Sequence, residues 1–322
     1  MITILTNKKN SNLYVLLKNI LKYTYLFFIQ KLYLDIYRFY DFLKYSGHVD
    51  VTKSLILGLK ENQIKFNINP KKNDDYYDNV IVLSGLDELK IAIKLKEHNV
   101  IKNLLVGPNI CVLPSDIDYL FKNKAIDKII TPSKWVTESY IKEIPEIRNK
   151  FFEWPAGVDT TYWKPKLNSK EKYVLIYIKR PFSAKKIYEY IKILNNRKIS
   201  FKIINYGFYN SKQYLKLLQN SKYSIFFSIS ESQGIAMLES WSVGVPSLIY
   251  ENYEINYKKT KIICDTSPYL SNYTGMKFGN LNDFTSKLSL LHNNYNKYDT
   301  RKWVLENLTN KISSKILSNI MD

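Results

Sequence analysis

Cysteine is nearly missing from this chain: two in 322 residues, Cys111 and Cys264. Their wide separation excludes a disulfide framework and any zinc site built on cysteine spacing. Three histidines, His48, His98 and His292, leave little for imidazole chemistry. Glycine and proline are sparse, ten of each, and neither a low-complexity tract nor an internal repeat is present. No run of about 18 uncharged apolar residues occurs, so no segment is expected to span a bilayer. The opening "MITILTNKKN" lacks the basic-then-apolar layout of a secretory signal and reads as a first strand. A reducing, cytoplasmic compartment is therefore expected.

Acidic residues are also few, 29 against 48 Lys and Arg, giving a net charge of +19. Such an excess favours polyanionic partners: nucleic acid, anionic lipid or phosphate-bearing substrates. Abundant Lys, Asn, Ile and Tyr, as an AT-rich coding sequence would produce, account for the same excess without function. Zinc-finger spacing, an RNP-like strand and an Arg-rich stretch are all missing, so no nucleic-acid partner is expected.

What the chain does contain is 45% apolar residues, enough for real cores, and a length that suits two domains. Strand-like and helix-like stretches alternate: "ITILT", "VDVTKSLILGLKENQ", "IKFNIN", "NVIVLSG", "LDELKIAIKLKEH", "NLLVGPN", "DKIITPS", "KWVTESYIKEI". Ser133 is the expected N-cap of the last of these. This alternation predicts an α/β protein with parallel, doubly wound sheets. Around "EWPAGVDTTYWKPKLNSKEK" the pattern breaks, with Pro155, Gly157 and Pro165 as punctuation. The expected layout is a Rossmann-like domain over 1–155, a linker over 156–169 and a second Rossmann-like domain over 170–300. Residues 301–322 are expected to return to the first domain. Two such halves would face each other across a cleft at their strand C-termini, where ligands of these sheets bind.

One stretch stands out: "SESQGIAMLESWSVGVPSLI", residues 230–249. Glu231 falls in the loop after the strand "YSIFFSI", and Gly234 opens a helix that carries Glu239. Backbone N–H groups near Gly234 and Ile235 would favour an anion there. An acid on either side of the anion site could accept from hydroxyls flanking a phosphate, as in a nucleotide sugar; acids near a helix start also simply complement its dipole. A second loop, "YIKRPFSAKK", puts Arg180 and Lys185 at another strand's C-terminal edge. These are a fork and a point charge for phosphate, or a solvated basic loop.

"ESQGIAMLE" resembles the E-x7-E signature of retaining glycosyltransferases of the GT-B fold, particularly the family-4 type. "KRPFSAKK" is similar to that family's Gly-Arg…Lys loop, with Lys179 where glycine is usual. "PAGVDTTYWKP" resembles its interdomain segment and "TPSKWV" the close of its first domain; the matches run in order from about residue 130 to 250. The resemblance implies that Arg180 and Lys185 bind the donor diphosphate, Glu231 the hydroxyls of the transferred sugar, and Glu239 the ribose. Gly234 and Ile235 would help hold the donor through their backbone. The family's Gly-Gly loop corresponds to Ser46-Gly47-His48, placing Gly47 and His48 near the donor, and Asn109 of "GPN" would line the acceptor side.

The implied reaction is metal-independent, retaining, hexosyltransferase-type transfer from a UDP- or GDP-linked sugar, with no cofactor. Its acceptor would be a hydroxyl of a glycan, glycolipid or protein-linked glycan, as in polysaccharide biosynthesis. Asp116 and Asp118, though spaced as Asp-x-Asp, are not expected to hold a metal. The alternatives are a nucleotide-sugar epimerase or a sugar phosphorylase on a similar scaffold, and a non-catalytic basic nucleic-acid-binding protein. The basic amphipathic stretch from Leu13 to Tyr40 either packs on its own sheet or lies on an anionic membrane, where lipid-linked acceptors reside.

Overall fold

The computed structural model describes residues 1–7, 47–167, 172–179, 182 and 184–321. The stretch from Leu13 to Tyr40, read above as amphipathic, lies outside them. Among the described residues no helix is long and apolar enough to cross a membrane.

The first lobe alternates strand and helix: β1 (Ile2–Leu5), α1 (Gly47–Glu61), β2 (Phe66–Ile68), β3 (Asn79–Ser84), α2 (Leu86–Glu97), β4 (Asn103–Asn109), β5 (Lys128–Thr131), α3 (Lys134–Glu143) and β6 (Phe151–Glu153). All six strands pair in parallel, in the order β2-β1-β3-β4-β5-β6. The middle strand explains the two-sided architecture. Val80 and Val82 point to one face and pack with Leu89, Ala92 and Ile93 of α2. Ile81 and Leu83, one residue out of phase, pack on the other with Leu55 and Leu59 of α1. A strand buried on both faces reads as an unbroken apolar run, which is what "VIVL" is.

The second lobe repeats the plan with β7 (Tyr173–Ile178), α4 (Ala184–Asn196), β8 (Phe201–Asn205), α5 (Ser211–Leu218), β9 (Ser221–Phe227), α6 (Ile235–Ser242), β10 (Ser247–Tyr250) and β13 (Gly275–Phe278), then α7 (Leu281–Asn294). The parallel order is β13-β10-β9-β7-β8. Leu175 and Tyr177 of β7 enter one core, Val174 and Ile176 the other. Between β10 and β13 a separate antiparallel hairpin, β11 (Glu254–Tyr257) and β12 (Thr260–Ile263), is inserted; the sequence reading did not anticipate it. Its tip reaches the first lobe, where Tyr257 and Lys258 both donate to the Asp116 carboxylate.

In each sheet the strand order reverses beside the first strand, between β1 and β3 and between β7 and β9. Open sheets of this kind bind ligands outside the strand C-termini at that reversal.

One local expectation holds in position and one is corrected. Ser133 occupies the N-cap position of α3, but its side chain makes no capping bond and its buried Oγ has no partner among the described residues. The tail is two helices with different destinations. In α8 (Thr300–Asn307), Val304 joins the second lobe's core, and the ring of Trp303 meets Trp241 edge-on, 5.8 Å between centroids. Only α9 (Asn310–Met321) returns to the first lobe, where Leu317 and Met321 close the α1 face. Apolar side chains such as Trp303 follow the nearest unfilled core, which here is the second lobe's. The crossing is tight: a Cβ on Gly157 would lie 2.6 Å from the Thr309 carbonyl oxygen and the Asn310 Cα.

Candidate functional site

The residue after β7, Lys179, keeps its backbone in the ladder, its N–H donating to Phe227 O at 2.8 Å. Its ammonium lies 2.8 Å from Oε2 of Glu231, in the loop that follows β9. The other Glu231 oxygen accepts from Ser228 Oγ, also at 2.8 Å. The Glu231 backbone is held as well: its N–H donates to Asp265 O, and its carbonyl accepts from Trp135 Nε1 of the first lobe at 2.9 Å. A carboxylate held on both oxygens, on a backbone held at two more points and with a side chain only 12% exposed, is a positioned group rather than a solvated one. Burial draws Lys179 toward losing its proton, but the charge and hydrogen bond of Glu231 outweigh it and raise the lysine above its ordinary value.

Gly234 follows with φ of +66°, the left-handed conformation that glycine adopts without strain, and caps α6. The helix then carries Glu239 inward. That side chain is buried, 4% exposed. Across from it stands Asp50 on α1. Burial, reinforced by the Asp50 charge and opposed by Lys53, pushes Glu239 well above the carboxylate range. Burial likewise raises Asp50 to about 6, against the pull of Lys53. Neither acid receives a side-chain hydrogen bond from the described residues.

These groups line one cavity of about 190 Å³ at the facing strand ends, together with Tyr177, Tyr206 and Asn109. Asn109 closes β4, and its buried Nδ2 has no partner among the described residues. Among the described residues, the wall therefore offers two carboxylates without donors and one amide donor without an acceptor. Polar groups left so are met by a ligand or by water.

The lobes are fastened beside the cavity by Gln233, which is buried. Its Oε1 accepts from Ala156 N–H at 3.0 Å and from Tyr269 OH at 3.3 Å, and the same tyrosine hydroxyl donates to Pro132 O.

No protein-family model matches the sequence, and no curated protein matches it. Solved structures do match in shape. The lipopolysaccharide outer core galactosyltransferase WaaB superimposes with a TM-score of 0.57 at 12% identity, covering 99% of this chain and 98% of its own. WaaG, a glycosyltransferase involved in lipopolysaccharide biosynthesis, gives 0.52 at 10%, covering 99% of each. The chain has the GT-B fold. TarM matches at 0.53 and 13% identity over 84% of this chain, which spans only 58% of TarM.

On this GT-B frame the sequence-derived residues fall as follows. Glu231, Gly234, Ile235, Glu239 and Asn109 share the cavity. Gly47 and His48 begin α1, three residues or fewer before Asp50, and the His48 side chain lies outside the described set. Arg180 lies outside the described residues. Lys185 sits in the first turn of α4, and its side chain also lies outside them. Asp116 is engaged by the hairpin. Three residues escaped the sequence reading. Lys179 enters the sequence analysis only as a departure from glycine, and neither Asp50, inside a helical stretch, nor Gln233, inside the Glu231–Glu239 motif, is singled out there. A polar residue at each of two strand ends was the available signal for Lys179; Asp50 carried none.

The acid pair makes a prediction about pH. Asp50 and Glu239 both have folded-state values above their unfolded ones, so the native state holds protons that the unfolded chain releases. The stability contributed is complete below the unfolded value and is lost as pH rises through the folded one. For Asp50 the window runs from 3.8 to about 6; that of Glu239 begins near the ordinary glutamate value of 4.5 and extends higher. Thermal melts of the ligand-free protein are expected to lose stability across this window, and Asp50→Asn is expected to flatten the loss. A variant that tracks pH as the wild type does would remove Asp50 from the account.

Proposed function

We propose that this chain is a retaining, hexosyltransferase-type glycosyltransferase that moves a sugar from a UDP- or GDP-linked donor to a hydroxyl of a glycan, glycolipid or protein-linked glycan. One observation carries the reading: two carboxylates bracketing a left-handed glycine converge with Lys179 on a single cavity at the strand-order reversal. Glu239 accepts from the ribose hydroxyls, which supply the donors its buried carboxylate lacks among the described residues. Glu231 accepts from hydroxyls of the transferred sugar. The exposed face of Tyr206 offers a surface for stacking. A TarM variant from S. aureus has been solved in complex with UDP, α-GlcNAc-glycerol and fondaparinux, so a protein of this fold binds a nucleoside diphosphate, which supports a nucleotide-linked donor here.

In the proposed reaction the bond from the anomeric carbon to the donor phosphate oxygen breaks, and the acceptor oxygen bonds to the same carbon on the same face. The acceptor's proton passes to a non-bridging oxygen of the leaving diphosphate, so no side-chain base is used. Arg180 and Lys185 supply fixed positive charge for the leaving group, which lets the reaction proceed without a metal or other cofactor. Residues 1–155 hold the acceptor and 170–300 the donor, joined by 156–169. Closure of the lobes excludes water that would hydrolyse the donor.

A thermal-shift screen against nucleoside diphosphates and their sugars tests this. Ligand at a hundred times its Kd stabilises by about 2.7 kcal/mol, a clear rise in melting temperature for one base and little for the others. A folded protein indifferent to every nucleotide would end the proposal, and turnover of a nucleotide sugar without acceptor would turn it toward the epimerase.

A further inference from the structure

Lys179 and Glu231 pair inside the cavity, 2.8 Å apart. Both partners face the space a ligand would fill, and the lysine comes from the loop read above as a phosphate loop. Its backbone is pinned by the bond to Phe227, while its four-carbon stem can rotate, and its side chain remains 30% exposed. The ring of Tyr206 flanks the ammonium, 5.2 Å from ring centre to Nζ. Glu231, by contrast, is fixed through its backbone and Ser228. Of the two partners, only the lysine is built to move.

Resting on the donor-site reading, we propose that Lys179 is an exchange cation. Without ligand it neutralises Glu231, sparing a poorly exposed carboxylate from lacking a counter-charge. A diphosphate entering the cavity carries more negative charge than one carboxylate and draws the ammonium to its own oxygens. The exchange frees Oε2 of Glu231, at the moment of binding, to accept from the sugar that the diphosphate brings. Donor recognition and release of the sugar-binding carboxylate are thereby one event. No covalent bond changes and no proton moves.

The test uses inorganic pyrophosphate as a base-independent probe, titrated calorimetrically into the whole chain at fixed salt. Lys179→Met is expected to weaken binding by roughly tenfold to a hundredfold, the worth of a hydrogen bond to a charged group. Glu231→Gln is expected to strengthen it several-fold, because the competitor for the ammonium is gone. That gain should disappear in the Lys179→Met/Glu231→Gln double variant, which also removes the risk that Glu231 left alone unfolds the single variant. Lys202→Met, at an exposed site outside the cavity, controls for anions attracted by the overall +19 charge and is expected to bind as wild type does. Unchanged affinity in Lys179→Met, weaker binding in Glu231→Gln, or a gain that persists without Lys179 would each overturn the exchange. If the wild type binds a nucleoside diphosphate and Lys179→Met binds it equally well, the exchange alone fails. If the wild type binds neither pyrophosphate nor any nucleotide, the donor-site reading fails with it.

Discussion

Glu231→Gln is expected to leave the protein folded and to lower sugar transfer by roughly 10²–10³-fold, the scale found when one preorganised partner of a developing charge is removed. The amide keeps an oxygen for Ser228 Oγ, which donates at 2.8 Å, and the backbone bonds to Asp265 and Trp135 are untouched. On the proposed reading, what is lost is the negative charge that would hold sugar hydroxyls and balance positive character on the ring. Lys179 loses its counter-charge, but it is 30% exposed, so water offsets much of the cost. The fall should therefore appear in kcat rather than in the melting temperature. A folded variant that transfers sugar at the wild-type rate would remove Glu231 from the reaction. Coupled with the pyrophosphate titration, the same substitution should bind the diphosphate more tightly while turning over more slowly, a combination that general damage to the site does not produce.

Trp154→Ala is expected to cost about 3–5 kcal/mol of stability, the usual range for deleting a buried large aromatic. Trp154 is fully buried, packed with Ile81, Leu317 and Met321, and its Nε1 donates to Ser313 O of α9 at 2.9 Å. Truncation opens a cavity and removes the additional hydrogen bond that ties this helix carbonyl to the first lobe. Because a domain's total stability is only about 5–15 kcal/mol, urea denaturation should show a large drop in midpoint and release of α9 from the first lobe. Trp154→Phe, which retains most of the volume while losing the N–H and part of the ring, should cost less. Equal midpoints for Trp154→Ala and the wild type would mean that α9 is held elsewhere, for instance by Ser313 Oγ on Pro155 O.

Much of this architecture is legible in the chain because it is local. "VIVL" and "YVLIYI" are unbroken apolar runs, and strands buried on both faces require that. The stretch from Glu231 to Glu239 announces a loop, a glycine and a helix within nine residues, so its geometry follows from chain periodicity without any distant partner. The hairpin over 254–263 escaped because its strands are four residues each and mostly exposed, so the apolar Ile255–Ile262 pair is too short an alternation to betray a strand. Trp303 misled for the opposite reason: an apolar side chain declares that it will be buried, not in which lobe.

By itself, then, the order of residues determined two parallel α/β lobes and the acids that would meet at a cleft, since hydrophobic period and motif spacing act over a few residues. Tertiary structure alone decided that Lys179 pairs with Glu231, 52 positions away, that Asp50 faces Glu239 across the lobes, and that Gln233 fastens them. Each of these depends on which strand ends the sheet order brings side by side. Electrostatic attraction and desolvation act through those spatial distances, which sequence separation does not encode.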